Sequence, residues 1–209
     1  MPSASTPNEE LTDADLMRQY QAGQSDAFAA LVERYRKPLF YFLQRYVRDP
    51  STADDLFQET FLQVHRSADS FDPDRRLKPW LFTIAANKAR DYLRRTQRRK
   101  TLSLSRSVGS DGEASFVDLM EGDLPDPGED LEESETAERV RDVAGKLPED
   151  YREILLLAYF QQFPYRQIAE ILDIPLGTVK SRLHAAVKAF AGLWHAENGP
   201  LSSPPEKKE

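Results

Sequence analysis

The sequence has no cysteine, only three histidines and no long uninterrupted apolar run. The lack of cysteine excludes disulfides and thiolate metal sites, and His65, His184 and His195 are too scattered to form a ligand cluster. We therefore expect no metal and no cofactor. The longest apolar run, Ile154 to Phe160, is far shorter than a membrane span, and residues 1–12 lack the apolar segment of a signal peptide. These absences predict a cytoplasmic protein without membrane insertion.

Charge is distributed unevenly along the 209 residues, whose net charge is −7. The segment from Arg75 to Lys100 has ten lysines and arginines against one acid, whereas residues 101–137 have eleven acids against one arginine. The basic block is suited to contact phosphate. The acidic block is rich in Ser, Gly and Pro and has too few apolar residues to offset the entropy of ordering. We predict that it is a flexible acidic linker.

Apolar residues recur at helical spacing on both sides of this linker, and strand-like alternation is absent. The sequence therefore predicts an all-α fold of two small helical domains, the second of them a helix-turn-helix. Pro38 is expected to bend its helix or to open a new segment. The expected order is a disordered N-terminus at 1–12, a domain at 13–100, the linker at 101–137, a domain at 138–196 and a disordered tail at 197–209.

The segment that follows Pro164 has the pattern of two short helices separated by a turn. Ile168, Ala169, Ile171 and Leu172 share one apolar face of the first helix. Asp173 lies at the turn, where Asp tolerates left-handed geometry better than most residues. This arrangement predicts a helix-turn-helix whose second helix enters the major groove of DNA.

The second helix of this pair, expected to start at Thr178, has two apolar anchors, Val179 and Leu183, which leave a polar and basic face outward. An ordinary surface helix more often has Glu–Lys pairs four residues apart. Amides at the start of this helix and cationic side chains on its outward face are suited to bind phosphate. We expect Lys180 and Arg182 to add charge-assisted contacts to phosphate.

Two further segments have the residue types of binding surfaces. The loop at 70–80 and the helix after it combine cations with aromatic rings, as single-stranded DNA requires, although core packing accounts for part of Trp80 and Phe82. On the helix predicted from about Ala53 to Arg66, Asp55, Gln58, Glu59 and Leu62 share a face. A solvated polar face is the simpler interpretation, yet an exposed Leu62 rimmed by polar groups also fits a protein interface.

These segments together resemble bacterial RNA polymerase sigma factors of the extracytoplasmic-function group. Leu147 to Leu183 is similar to region four, the string from Lys78 to Ala85 is similar to regions 2.3 and 2.4, and the string from Asp55 to Phe61 is similar to region 2.2. The resemblance covers nearly all of the chain outside the linker and tails. It implies a protein that binds core RNA polymerase, reads minus-thirty-five and minus-ten promoter elements, and aids strand opening.

The resemblance also implies roles for individual residues. The polymerase contacts are expected at Asp55, Gln58, Glu59 and Leu62. The helix that contains Thr178, Lys180, Ser181, Arg182 and His184 is expected to read the minus-thirty-five element. Capture of flipped minus-ten bases and melting are expected from Arg75, Arg76, Lys78, Trp80, Asn87, Lys88, Arg90 and Asp91. The expected partners are core polymerase, promoter DNA and an anti-sigma factor, with the free chain a monomer.

Three other functions agree less well with the residues. A sigma-mimic adaptor that sequesters an anti-sigma factor would have little reason to keep the basic loop and helix from Arg75 to Arg99. A stand-alone helix-turn-helix regulator would need an effector or dimerisation element, and no segment resembles one. The sequence has no nucleophile–base pairing, no glycine-rich phosphate loop and no metal constellation, so we expect that the protein is not an enzyme.

Overall fold

The computed structural model describes residues 11–104 and 135–198, and every regular element in these two segments is helical, which confirms the all-α prediction. The N-terminal module, residues 11–104, contains α1 (Asp13–Gln21), α2 (Ser25–Val47), α3 (Pro50–Ser67), a 3-10 turn (Ala68–Ser70) and α4 (Leu77–Leu104). The C-terminal module, residues 135–198, contains α5 (Glu135–Lys146), α6 (Glu149–Leu155), a π turn (Leu156–Phe160), α7 (Tyr165–Leu172) and α8 (Leu176–Asn198). Most of the predicted linker and of both tails lies outside the described residues.

The N-terminal module buries the apolar faces of its four helices against one another. Helix α1 begins with a reciprocal cap, in which the Thr12 hydroxyl accepts from the Asp15 N–H (3.2 Å) and the Asp15 carboxylate accepts from the Thr12 N–H (3.1 Å). This cap satisfies two donors that a helix start leaves unpaired. The core combines large side chains with alanines where α4 approaches its neighbours: Leu31, Leu39, Phe42, Leu43, Leu56, Phe61, Phe82, Ala85, Ala86 and Ala89.

Four helix boundaries differ from the sequence expectations. Helix α2 is one helix through Pro38, so no new segment opens there. A proline inside a helix costs about 3 kcal/mol, and burial of the neighbouring Tyr35 and Leu39 in the core offsets this cost. Helix α8 begins at Leu176 and not at Thr178. Helix α4 continues past residue 100, and α5 begins before residue 138.

Helices α7 and α8 form the predicted helix-turn-helix. Ile168, Ile171 and Leu172 are buried and Ala169 is half-buried, so the apolar face of α7 is the predicted one. Asp173 ends α7 with φ 54°, the left-handed conformation expected at the turn. The buried anchors of α8 are Val179 and Leu183.

The two modules pack against each other at the C-terminal end of α5. Arg152 of α6 donates to the carbonyl of Tyr46 in the N-terminal module (2.9 Å) and to the carbonyls of Gly145 (3.0 Å) and Leu147 (2.9 Å). Arg48, which follows α2, donates to the same Gly145 carbonyl (2.8 Å). Helix ends leave carbonyls unpaired and favour cations, so these two arginines both cap α5 and join the modules.

A second contact between the modules surrounds the π turn. The Gln161 side chain donates to the carbonyl of Pro38 (3.2 Å). The Phe163 ring packs edge-on against Phe82 of α4, with 5.1 Å between ring centroids. Aromatic packing of this kind adds stabilisation beyond the area it buries. Together the two contacts place the helix-turn-helix beside the start of α4.

Candidate nucleic-acid and protein interfaces

The outer face of α3 combines an exposed apolar side chain with polar neighbours. Leu62 is 53% exposed, unusually high for a large apolar residue. The Gln58 amide donates to the Asp54 carboxylate (2.8 Å), and the Glu59 carboxylate lies 3.2 Å from the Lys88 ammonium of α4. An apolar anchor rimmed by polar groups is the composition of a protein interface. The four residues predicted for this face are all exposed on it: Asp55, Gln58, Glu59 and Leu62.

The loop between the 3-10 turn and α4 presents two arginines to solvent. The Asp72 carboxylate accepts from the Asp74 N–H (3.0 Å), and the Asp72 carbonyl accepts from the Arg75 N–H (3.0 Å). These bonds order the backbone of the loop without using the arginine side chains. The Arg75 side chain is 81% exposed, and its Nε is 4.0 Å from the Asp72 carboxylate, which is too far for a hydrogen bond. Arg76 is also exposed. Both guanidinium groups are therefore accessible to a phosphate or a base.

Lys78, another predicted DNA ligand, contacts the C-terminal module. Its ammonium donates to the carbonyl of Gln161 (3.1 Å) and lies 4.9 Å from the centroid of the Phe163 ring. Burial lowers the pKa of Lys78, because the charged form loses hydration. In this arrangement Lys78 stabilises the contact between modules and cannot reach a nucleic acid at the same time.

Arg90 of α4 is likewise engaged by the C-terminal module. Its Nε lies 3.3 Å from Oε1 of Glu153, and neither atom makes a hydrogen bond within the described part of the chain. Glu153 is almost fully buried, and this burial raises the pKa of its carboxyl to about 7 against the opposing attraction of Arg90 and the Tyr46 hydroxyl. Because the Glu153 side chain is buried and the pair has poor hydrogen-bond geometry, Arg90 recovers little of the cost of desolvating the Glu153 carboxylate. The Arg90–Glu153 contact is therefore a weak point of the joint between modules.

The aromatic side chains of α4 serve the core more than the surface. Phe82 is fully buried. Trp80 is half-buried against Phe71, with 4.4 Å between ring centroids. Core packing therefore accounts for all of Phe82 and for part of the Trp80 ring, and one edge of Trp80 remains at the surface.

The remaining polar residues predicted for α4 pair within their own module. The Asn87 side-chain oxygen accepts from Arg90 (2.6 Å) and the Asp91 carboxylate accepts from Arg94 (2.5 Å). Lys88 pairs with Glu59, so a candidate DNA ligand and a candidate polymerase ligand neutralise each other. Exposed pairs of this kind contribute little to stability and exchange readily for another partner.

The outward face of α8 is polar and basic along its first turns. Lys180, Ser181 and His184 are exposed, whereas Thr178 and Arg182 are half-buried. The Ser181 hydroxyl donates to the carbonyl of Thr178 (3.2 Å), and the Arg182 guanidinium lies 3.4 Å from the carboxylate of Asp150. A helix with one buried side and one cationic side is the form that enters a major groove.

Four residues that join the modules were not predicted from the sequence: Arg48, Arg152, Glu153 and Gln161. Their one local signal is the Arg152–Glu153 pair directly before the apolar run, because a charged pair in a buried helix needs partners. Residues 11–104 and 135–198 contain no group of side chains suited to hold a metal ion. None of the helices in these ranges combines the length and the apolar character that crossing a bilayer requires.

Comparison with known proteins places both modules in one family. The family models for Sigma-70 region 2 and for Sigma-70 region 4 match residues 31–99 and 137–190. The ECF RNA polymerase sigma factor SigW of Bacillus subtilis is 30% identical over 175 residues, which cover 83% of this chain and 92% of that protein. The ECF RNA polymerase sigma-E factor of Haemophilus influenzae is 35% identical over 178 residues, which cover 85% of this chain and 93% of that protein.

Solved structures show the same fold. CnrH, solved in complex with the cytosolic domain of CnrY, has a TM-score of 0.63 and 26% identity, and the match covers 88% of this chain and 98% of CnrH. The sigma factor RpoE of Bartonella quintana, solved in complex with the anti-sigma factor NepR, has a TM-score of 0.59 and 24% identity over 81% of this chain. The overall fold described above is thus common to these proteins.

Proposed function

The chain belongs to the extracytoplasmic-function (ECF) group of RNA polymerase sigma factors, and we propose that three of its surfaces carry out separate steps of promoter use. As a sigma factor it binds core RNA polymerase and directs promoter-specific transcription initiation. The observation that supports this division is that the matches to regions 2 and 4 fall on separate modules with separate exposed faces. The protein contributes recognition, and the polymerase contributes the chemistry. It therefore acts in the cytoplasm and is not itself an enzyme.

The first surface is the outer face of α3, which we assign to core polymerase. The exposed Leu62 supplies an apolar anchor, and Asp55 and Glu59 supply negative charge beside it. A partner that fits this face has an apolar slot with a basic rim. Gln58 adds planar hydrogen bonding at the same rim, since its amide reaches Asp54 but keeps an exposed edge.

The second surface is the loop with Arg75 and Arg76, together with the N-terminal half of α4, which we assign to the minus-ten element. The two exposed arginines meet the DNA first because nothing in the protein has to release them. Lys78 and Arg90 are held by the C-terminal module, so their use of DNA requires the modules to move apart. The unsatisfied Arg90–Glu153 contact lowers the cost of that separation.

The third surface is the outward face of α8, which we assign to duplex DNA at the minus-thirty-five element. Lys180, Ser181 and His184 are exposed without any change in the protein. Each DNA-binding surface is small, but a chain that holds both raises the effective concentration of the second once the first is bound. Tight binding by either module alone is therefore unnecessary.

An anti-sigma factor is the remaining partner in this proposal. The sigma factor RpoE of Bartonella quintana, which shares the fold of this chain, was solved in complex with the anti-sigma factor NepR. A sigma-mimic adaptor would bind the same kind of partner, but exposed arginines at positions 75 and 76 would serve no purpose in it. The free chain is expected to be a monomer.

Run-off transcription tests the function directly. Purified protein is added to bacterial core polymerase and a library of genomic fragments, and the start sites are mapped. We expect new start sites that share two sequence elements. An adaptor or a stand-alone regulator would give no run-off product from core polymerase, and that result would overturn the proposal.

Charge reversal at Glu59 tests the α3 surface. The change Glu59→Lys places a cation beside Lys88 and removes a carboxylate from the interface, so we expect at least a hundredfold loss of affinity for core polymerase, within the range of about 2–5 kcal/mol for truncating interfacial charge pairs. Glu33→Lys, on the exposed face of α2, is the matched control and should bind normally. The measurement is the equilibrium affinity for core polymerase, with circular dichroism to establish folding. Equal affinity of both variants would remove the α3 face from the proposal.

A further inference from the structure

We propose that Gln21 of α1 is a positioning residue, which fixes the loop at residues 68–76 so that Arg75 and Arg76 meet a captured minus-ten base. We call this segment the capture loop. The inference rests on the proposed function of that loop. Helix α1 lies before residue 31, where the match to Sigma-70 region 2 begins.

The Gln21 amide holds both ends of the 3-10 turn that opens the capture loop. Its nitrogen donates to the carbonyl of Ala68 and to the carbonyl of Phe71, each at 2.8 Å. The turn itself is closed by the Phe71 N–H, which donates to the Ala68 carbonyl (3.0 Å). The half-buried Gln21 amide thus donates both of its N–H groups to backbone carbonyls that are 47 and 50 residues away in the chain. A surface glutamine with only a solvation role would not use both donors in this way.

Fixing Phe71 fixes the direction in which the loop leaves the 3-10 turn. The Phe71 ring is buried against Trp80 at the start of α4. Arg18, one turn earlier on α1, reaches the far side of the loop and donates to the Asp74 carboxylate (2.5 Å). Helix α1 therefore holds the loop on both sides of Asp72. The Arg18 pair is largely exposed and contributes less than the half-buried Gln21 bonds.

The start of α1 also lies beside the cations that the loop presents. Thr12 and Asp13 line the same open cleft as Arg75 and Arg76. One helix thus supports the capture loop from beneath and borders the space that the loop faces. A loop held in its binding geometry before DNA arrives loses less conformational entropy on binding, which raises affinity for a base that inserts there.

The test measures whether Gln21 is coupled to a captured base. Holoenzyme is prepared with wild-type protein, with Gln21→Met and with Gln19→Met, the matched control on the same helix. Gln19 makes no side-chain hydrogen bond within the described part of the chain, and methionine keeps the length of glutamine without its donors. Affinity is measured for the non-template minus-ten strand of a mapped promoter, and for a set of strands in which each base in turn is replaced by an abasic site.

We expect one or two abasic positions to weaken the wild type, which identifies the captured base. Gln21→Met should bind the intact strand about tenfold more weakly, the effect of losing two hydrogen bonds, and should bind the critical abasic strand as well as the wild type does. Gln19→Met should match the wild type on all strands. Equal loss by Gln21→Met on intact and abasic strands, or no loss on either, would overturn the positioning role.

Two further results keep the test decisive. If no abasic position weakens the wild type, base capture is absent, and the proposed function of the loop falls together with the role of Gln21. If Gln21→Met fails to fold, as judged by its melting curve, Arg18→Ala replaces it, because that side chain is half exposed and its loss spares the core. Arg18→Ala should show the same dependence on the critical base with a smaller loss, about threefold. No such dependence would overturn the proposal.

Discussion

Two candidate DNA-binding cations of α4 contact groups of the C-terminal module, whereas Lys180 of α8 is exposed to solvent. Lys78 is bound to the Gln161 carbonyl and Arg90 lies against Glu153, both in the other module. Lys180 projects from a helix whose opposite side is buried through Val179 and Leu183. The same residue types therefore differ in availability because of what packs beside them.

This difference matches the two DNA substrates that the surfaces are proposed to bind. Duplex DNA presents its major groove without prior change, so a helix that binds it can be exposed at all times. A single strand exists only after unstacking, so its binding surface is needed later. Lys78 and Arg90 contact the C-terminal module until the strands are opened. This contact keeps them from non-specific binding to duplex phosphates, which is electrostatic and independent of sequence. Arg75 and Arg76 of the capture loop, which precedes α4, are exposed and lie outside this contact.

The largest effect is expected at the capture loop. Replacing Arg75 and Arg76 together by alanine removes two cations of the capture loop that are accessible before the modules separate. Each charge-assisted hydrogen bond is worth about 1.5–3 kcal/mol, so strand opening should fall about a hundredfold or more. The measurement is the extent of permanganate reaction at thymines of the minus-ten region in the holoenzyme–promoter complex.

The matched control for this change is the double variant Arg36→Ala with Lys37→Ala, two adjacent exposed cations on α2. It lowers the net charge of the protein equally and should open the promoter normally. Equal loss in both double variants would mean that strand opening depends on overall charge and not on the loop. The contrast between the loop and the rest of the basic surface would then disappear.

A smaller effect is expected at α8. Lys180→Ala removes one exposed cation, so binding to the duplex upstream element should weaken about fivefold and the log–log salt slope should fall by about one. Strand opening on a template premelted at the minus-ten element should not change. Lys188→Ala, further along α8, is the control. Equal losses of Lys180→Ala on duplex and premelted templates would contradict the separation of the two surfaces.

The sequence predicted the helix-turn-helix well because its determinants are local. Ile168, Ile171 and Leu172 lie within one helical repeat, and Asp173 adopts the left-handed turn that its short polar side chain tolerates. Val179 and the residues after it then follow from helical spacing alone. The exposed face of α8 could be predicted in the same way, because the positions that helical spacing does not bury are the exposed ones.

The joint between modules could not be predicted because its partners are remote in sequence. Arg152 donates to the Tyr46 carbonyl, 106 residues away in the chain, and Lys78 donates to the Gln161 carbonyl, 83 residues away. No periodicity marks a backbone carbonyl as the acceptor of a distant side chain. Pro38 shows the same limit, since its place inside α2 depends on the burial of Leu39 and its neighbours and not on local propensity.

The smallest effect that we expect is a pH dependence of the contact between the C-terminal module and α4. We call the arrangement in which the two modules are in contact the closed arrangement. In it, burial raises the pKa of Glu153 to about 7. Separation of the modules would return the carboxyl to water and to its ordinary pKa near 4.5. Glu153 binds its proton more tightly in the closed arrangement than after separation. Protonation therefore stabilises the closed arrangement fully below about pH 4.5, and this stabilisation is lost as pH rises through about 7. The charged and titratable groups around Glu153 are Arg90, Tyr46, Asp150 and Arg182. We therefore expect the modules to separate more often at pH 8 than at pH 5.5.

Spin labels can measure this separation because the chain has no cysteine of its own. Labels at Ala29→Cys on α2 and Gly192→Cys on α8, both exposed positions, report the distance distribution between modules. The long-distance fraction should rise with pH in the wild type and stay constant in Glu153→Gln, which is neutral at every pH. Arg48→Ala, which removes a hydrogen bond of the joint without touching a proposed DNA or polymerase ligand, should raise that fraction at both pH values. A fraction independent of pH in the wild type would show that Glu153 does not control the contact between the C-terminal module and α4, and the contrast between α4 and α8 would then rest on the neutral contacts alone.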